Sequence, residues 1–213
     1  MTMTERVPLS RPRIAEAALG YIDEHGLEAL SMRKLGAVLG VEAMSLYNHV
    51  ASKDDLLAAV MDSIYSEVLE SYGAPSGGWR AKARTMAHAY RDATDRHPNA
   101  LPLLIERPVE SEVGLEFMSR IVSIFDDLTD DLGEAALAFH VAASWLIGTI
   151  IQEHGIMRRL AEGEDMSADA VPAWFEPIVR FKEACVDSST SEERFREGLG
   201  VMLDGLERRF HQG

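Results

Sequence analysis

The stretch GVEAMSLYNHVASKDDLL, Gly40 to Leu57, decides how the chain is read. Tyr47, Asn48 and His49 stand side by side in what reads as a short helix, where a core-packing helix would alternate apolar and polar residues. Working outward, Met32 to His49 has the pattern of a helix-turn-helix. Leu35, Leu39, Val41 and Leu46 are apolar where two such helices and the preceding one must close a miniature core. Gly36 is small where the second helix crosses closely, and Gly40 suits a left-handed turn that a β-carbon discourages. Val41 and Leu46 are expected to point inward, leaving Met44, Ser45, Tyr47, Asn48 and His49 near or on the outer face. Hydroxyl, amide and imidazole groups reach base edges and phosphate oxygens, and a methionine suits a thymine methyl. Lys53, in the first turn of the next helix, can pair with a phosphate approaching that helix N-terminus.

The flanking segments predict an all-α protein, with apolar residues at three- and four-residue spacing, Gly or Pro at the breaks and no sustained period-two run. A first helix is expected from an N-cap at Ser10 to His25, stopped by Gly26 and burying Ile14, Ala17, Ala18, Tyr21 and Ile22. Ser31 caps a second to about Leu39, a third covers Ala43 to His49, and Ser52 with Asp55 opens a fourth as a variant capping box. SYGAPSGG, Ser71 to Gly78, is the candidate boundary. Residues 1–53 are read as a helix-turn-helix domain, 54–72 as a connecting helix and 73–213 as a larger helical domain. In the last, helices are expected at Trp79–His97, Leu101–Glu106, Val109–Leu128, Glu134–Met157, Ala173–Cys185 and Ser191–Phe210, with a polar loop in RLAEGEDMSADAVP. The Glu134–Met157 helix is hydrophobic around much of its circumference, which implies burial on several sides.

A net charge of −14 over 213 residues argues at first against a nucleic-acid partner. The distribution changes that reading: residues 1–53 carry six basic and six acidic side chains, so the whole acidic excess lies in the remainder. The single cysteine, Cys185, excludes an internal disulfide framework and suits a reducing, cytoplasmic setting. No secretory leader and no uninterrupted apolar run of membrane-spanning length is read, so no membrane partner is expected.

The block IAEAALGYIDEHGLEALSMRKLGAVLGVEAMSLYNHVASKDDLL resembles the N-terminal DNA-binding domain of the tetracycline repressor family, and LYNHVASKDDLL is similar to the family's LYxHFxxKxxLL signature. GGWR at Gly77, RHP at Arg96, ERP at Glu106 and FREGLGVMLDGLE at Phe195 resemble the effector-binding domain of the tetracycline-repressor branch. The resemblance implies a homodimer whose paired recognition helices enter successive major grooves of a palindromic operator, with a small-molecule effector changing their separation. Carried over by position, Arg33 would contact a base or phosphate, and Ala43, Met44 and Ser45 would open the recognition helix against bases. Tyr47, His49 and Lys53 would mainly fix the backbone. Asn48 stands where that branch has tryptophan, and Ala43 and Met44 replace its glutamine and proline, so a different operator is expected.

The resemblance places a four-helix dimer bundle on the helices through Trp145–Ile151 and Phe195–Phe210. Leu199, Met202, Leu203, Leu206 and Phe210 make an apolar stripe there, with Gly198 and Gly205 permitting close approach. A pocket is implied between the helices that start near Trp79, Val109, Glu134 and Ala173. Its candidate lining is Met86, Tyr90, Leu103, Phe117, Ile121, Phe125, His140, Gln152 and Trp174, for each of which plain core packing is the competing reading. The family member that binds magnesium-tetracycline uses a histidine where Leu103 or Leu104 stands here, and a glutamate where Gln152 stands. The expected effector is therefore metal-free and mostly apolar, and no cofactor is expected.

An enzyme is the second class weighed. HExxH, a glycine-rich phosphate loop after a strand and paired cysteines are all absent, and the seven histidines are scattered. A helical interaction protein with vestigial DNA binding is the third; its expected mark, an acid or proline within the recognition helix, is limited to Glu42 at the edge.

Overall fold

The computed structural model describes residues 8–155 and 191–210, with the backbone of 156–161. Trp174, Cys185, the Ala173–Cys185 helix and most of the polar loop lie outside the described residues. The described part is all-α. Its helices are α1 (Arg11–His25), α2 (Met32–Leu39), α3 (Ala43–Leu46), α4 (Lys53–Tyr72), α5 (Trp79–Arg96), α6 (Leu101–Glu106), α7 (Glu112–Asp126), α8 (Leu132–Ala161) and α9 (Ser191–Phe210), with short 3-10 turns at Leu27–Ala29 and Pro98–Ala100.

Local chemistry sets the ends of the first four helices. Ser10, Ser31 and Ser52 sit in extended backbone and accept from the N–H groups of Arg13, Lys34 and Asp55, satisfying donors that a helix N-terminus leaves unpaired. Gly40 ends α2 in the left-handed region at φ 67°, ψ 32°, which costs glycine little and other residues more. The Asp55 carboxylate accepts from the N–H of Ala51 at 2.7 Å, one residue before the cap, so the expected capping box is displaced by one residue.

The chain divides into two compact units, residues 1–77 with 81–123 and residues 78–80 with 124–213. In the first, α1 packs on α4 and α2, and α2 packs on α3. Ile14, Ile22, Leu35, Leu46 and Leu56 are fully buried there, each close to the 1.5–3 kcal/mol that burying such a side chain contributes. Ala15 and Leu19 are buried on α1, whereas Ala17 and Tyr21 are only half-buried, because the face that meets α4 is turned by one residue from that expected. Tyr65, Phe117 and Tyr90 form a stack of buried rings, with centroids 4.7 and 6.0 Å apart.

In the second unit, α8 packs on α9, and Trp145 lies against Phe195 with ring centroids 5.5 Å apart. Leu199, Leu203 and Leu206 are buried on α9, while Met202 and Phe210 are half-buried and Val201 is exposed. One expectation for α8 needs correction. Leu132, Leu137, Val141 and Ile151 are exposed, so the helix is not buried on several sides within one chain. Its Leu132–Gly155 segment, with mean hydropathy 1.5, also matches a membrane span by length and composition alone. A search for uninterrupted apolar runs passes over it because Glu134, His140 and Ser144 break the run.

Candidate nucleic-acid interface

α2 and α3 meet at Gly36. A β-carbon there would stand 2.8 Å from the Val41 carbonyl oxygen and 3.2 Å from the Ala43 nitrogen, so the two backbones touch where a side chain would separate them. The Val41 N–H donates to the Gly36 carbonyl at 2.9 Å, tying the turn to the same point. From this seat α3 runs only from Ala43 to Leu46; Tyr47, Asn48 and His49 continue as a tight turn rather than a regular helix. The N–H groups of His49 and Val50 both donate to the Leu46 carbonyl, at 2.9 and 3.0 Å, because the chain must reverse within three residues into the Ser52 cap.

The expected DNA-reading residues divide by exposure. Met44, at 71%, Tyr47, Asn48, His49, Arg33 and Lys53 are exposed, whereas Ala43 and Ser45 are half-buried. Leu46 and Val50 are buried beneath them and interleave with them in sequence, so the exposed groups are held at a set angle by core packing. Val41 is half-buried rather than fully inward. Lys34, adjacent to Arg33, is engaged elsewhere: its Nζ donates to the Ala29 carbonyl at 2.9 Å.

Two ion pairs brace α4 behind this surface. Arg11 of α1 donates to the Asp55 carboxylate at 2.8 Å, and Arg107, just after α6, pairs with Asp54. The backbone hydrogen bond from Ala51 holds the Asp55 carboxyl below the usual carboxylate range; burial opposes this and the Arg11 charge assists it. Sequence reading found Asp55 from its capping spacing and missed Arg11, whose partner lies 44 residues away. A cavity of about 310 Å³ between α4 and the turn after α6 is lined by Asp54, Met61, Asp62, Tyr65, Arg107 and Ser111 among others. It shares no residue with the expected effector lining. The Tyr65 hydroxyl on its wall is pushed up to about 12 by burial and by the Asp62 charge, so it stays a neutral donor.

Of the expected effector-lining residues in the first unit, Met86, Tyr90, Leu103 and Phe117 are buried and Ile121 is half-buried. Burial pushes the Tyr90 hydroxyl well above the ordinary phenol range. In the second unit Phe125 is buried, while His140 and Gln152 are exposed.

Comparison with known proteins agrees with this architecture. Residues 14–60 match the profile of "Bacterial regulatory proteins, tetR family", and residues 73–210 that of "Tetracyclin repressor-like, C-terminal domain". The HTH-type transcriptional repressor DrrR1 of Streptomyces coeruleorubidus is 28% identical over 210 residues, 93% of this chain and 77% of that protein. Tetracycline repressor protein class D of Escherichia coli is 26% identical, over 93% of this chain and 89% of that one. The crystal structure of the Streptomyces coelicolor TetR family protein ActR in complex with actinorhodin aligns with a TM-score of 0.74 at 27% identity, covering 94% of this chain and 97% of that chain. Helix-turn-helix geometry and profile agree along the chain, which therefore belongs to the tetracycline repressor (TetR) family and is a DNA-binding transcriptional regulator, not an enzyme.

Proposed function

We propose that this protein is a homodimeric, cytoplasmic repressor that binds a palindromic operator through Arg33, Ala43, Met44, Ser45, Tyr47, Asn48, His49 and Lys53, and that a small, mostly apolar, metal-free effector releases it. The observation that carries the reading is the exposure of Met44, Tyr47, Asn48 and His49 around buried Leu46 and Val50, on a segment seated against the Gly36 backbone. These present mixed hydrogen-bonding groups to solvent, as direct readout requires. The recognition segment Ala43–His49 holds no Arg or Lys, which favours a shallow salt dependence.

The exposed apolar residues of α8 and Val201 of α9 support dimerisation, since a second copy would remove them from water. Met86, Tyr90, Leu103 and Phe117 are buried apolar side chains and a neutral phenol, the chemistry suited to an effector of low polarity. Phe125, His140, Gln152 and Trp174 remain effector candidates to be tested singly. The crystallisation of ActR with actinorhodin is a family precedent for an effector.

The test is a mobility-shift assay on the DNA upstream of the protein's own gene, repeated with a small-molecule panel and with chelator. Retarded DNA, released by an apolar compound whether or not magnesium is present, is the expected result. No shift at low salt, a slope of log K against log salt steeper than about six, or magnesium-dependent release would each overturn the corresponding part.

A further inference from the structure

The RHP motif at Arg96 to Pro98 takes no part in the DNA-reading surface, yet it sits at a junction of charges. His97 is only 14% exposed at its side chain and lies between two carboxylates from different helices. Its Nδ1 is 2.8 Å from Asp23 Oδ2 of α1, and its Nε2 is 3.2 and 3.3 Å from the two oxygens of Glu67 of α4. Arg96, at the end of α5, donates to Glu67 at 2.8 and 3.1 Å, and Asn99 of the following 3-10 turn donates to the Asp23 carbonyl at 2.9 Å. Among the described residues the buried Asp23 Oδ1 has no hydrogen-bond partner, so that carboxylate leans on His97 through its other oxygen.

A neutral imidazole offers one donor and one acceptor, and a carboxylate only accepts. Both contacts are hydrogen bonds only when both ring nitrogens carry protons. The group of Asp23, Glu67, Arg96 and His97 is then neutral, and the imidazolium also faces the C-terminal turn of α1, where the helix dipole favours a cation. Loss of the proton leaves an uncompensated negative charge and turns one ring lone pair toward a carboxylate. α1 packs on α2 and α4, and α4 begins directly after the DNA-reading turn. A loosened junction would let α4 sample more orientations, which DNA binding must then restrict.

We propose that His97 is a proton-bearing latch that holds α1 and α4 to the α5–α6 turn, and that operator affinity follows its protonation. The inference rests on the DNA-binding reading above. His97 is a positioning residue: it touches no DNA and acts through the helices that carry the reading surface.

The experiment measures affinity of the full chain for a labelled duplex from its own upstream DNA between pH 6 and 8.5, with ring-nitrogen NMR on the same protein. Wild type should bind about tenfold more tightly at pH 6, the change expected from losing one charge-assisted hydrogen bond. At that pH both His97 nitrogens should carry protons. His97→Gln should be flat at the weaker level. Asp23→Asn, whose amide can donate to a neutral ring, should be flat near the tighter level, which separates the latch from a folding defect. His49→Gln should keep most of the wild-type slope, showing that the proton is not one shared with a phosphate.

A pH profile unchanged in His97→Gln, an affinity that rises with pH, or a ring carrying one proton at pH 6 would overturn the latch. A doubly protonated His97 in a protein that binds no DNA at any pH would instead sink the DNA-binding reading.

Discussion

Substituting Gly20 by alanine should raise stability, whereas the same substitution at Gly36 should not. Both glycines lie within helices, α2 and α1, so each substitution gains the roughly 1 kcal/mol by which alanine exceeds glycine in helix propensity. At Gly20 nothing lies within 4 Å of the added carbon, and the gain should appear whole, as a Tm rise of about 2–4 °C for a chain of this size. At Gly36 the added carbon meets two backbone groups, the Val41 carbonyl at 2.8 Å and the Ala43 nitrogen at 3.2 Å, and neither can rotate away as a side chain would. Restoring ordinary contact at 3.4 Å moves the start of α3 by about half an ångström, at an overpacking cost of about 1–3 kcal/mol. After the propensity gain, Gly36→Ala should leave Tm level or lower it by a few degrees. DNA binding is the sharper readout, since displacing the turn misaligns Met44, Tyr47 and Asn48 together, and should fall at least tenfold while Gly20→Ala binds as wild type. Thermal melts followed by circular dichroism and anisotropy titrations on one duplex are sufficient. A Gly36→Ala protein that melts higher and binds DNA normally would refute the close-approach argument.

Asp55 gives a pH prediction with a definite sign. Its carboxyl lies below the ordinary 3.8 in the folded protein, so the stability it contributes is present above that value and is lost as pH falls through the folded one. Asp55→Ala should cost about 1–2 kcal/mol at pH 7 and flatten the acid limb of Tm against pH below about 4. Gly198→Leu should disrupt the α8–α9 contact, because even a β-carbon there would stand 2.9 Å from Cζ2 of Trp145. A change in tryptophan emission and a shift toward monomer on gel filtration are expected, and a dimer with unchanged emission would argue against this packing. At the reading surface, Asn48→Ala should relax preference at one base pair by about 1–3 kcal/mol while Tyr47→Ala weakens all duplexes alike, distinguishable by binding to a panel of single-base variants.

The elements near the N-terminus were legible because their determinants are local. A serine cap acts three residues ahead, and a glycine permits a left-handed turn at its own position, so Ser10, Ser31, Ser52 and Gly40 could be placed from sequence spacing. The exposure of Tyr47, Asn48 and His49 followed from their interruption of the apolar pattern, and the structure adds that they occupy a turn rather than a further helical stretch. α8 misled because apolarity shows that a surface avoids water without naming what covers it. Leu137, Val141 and Ile151 are exposed in one chain, although the pattern suggested an interior helix.

The sequence by itself therefore determined the helical class, the helix-turn-helix and the exposure of Tyr47, Asn48 and His49 on it. Only the tertiary structure decided how that unit is braced. Asp23 and His97 are 74 residues apart, Glu67 and His97 are 30 apart, and Arg11 and Asp55 are 44 apart. No local spacing encodes such pairs, because opposite charges attract according to distance in space, and packing of α1 on α4 sets that distance.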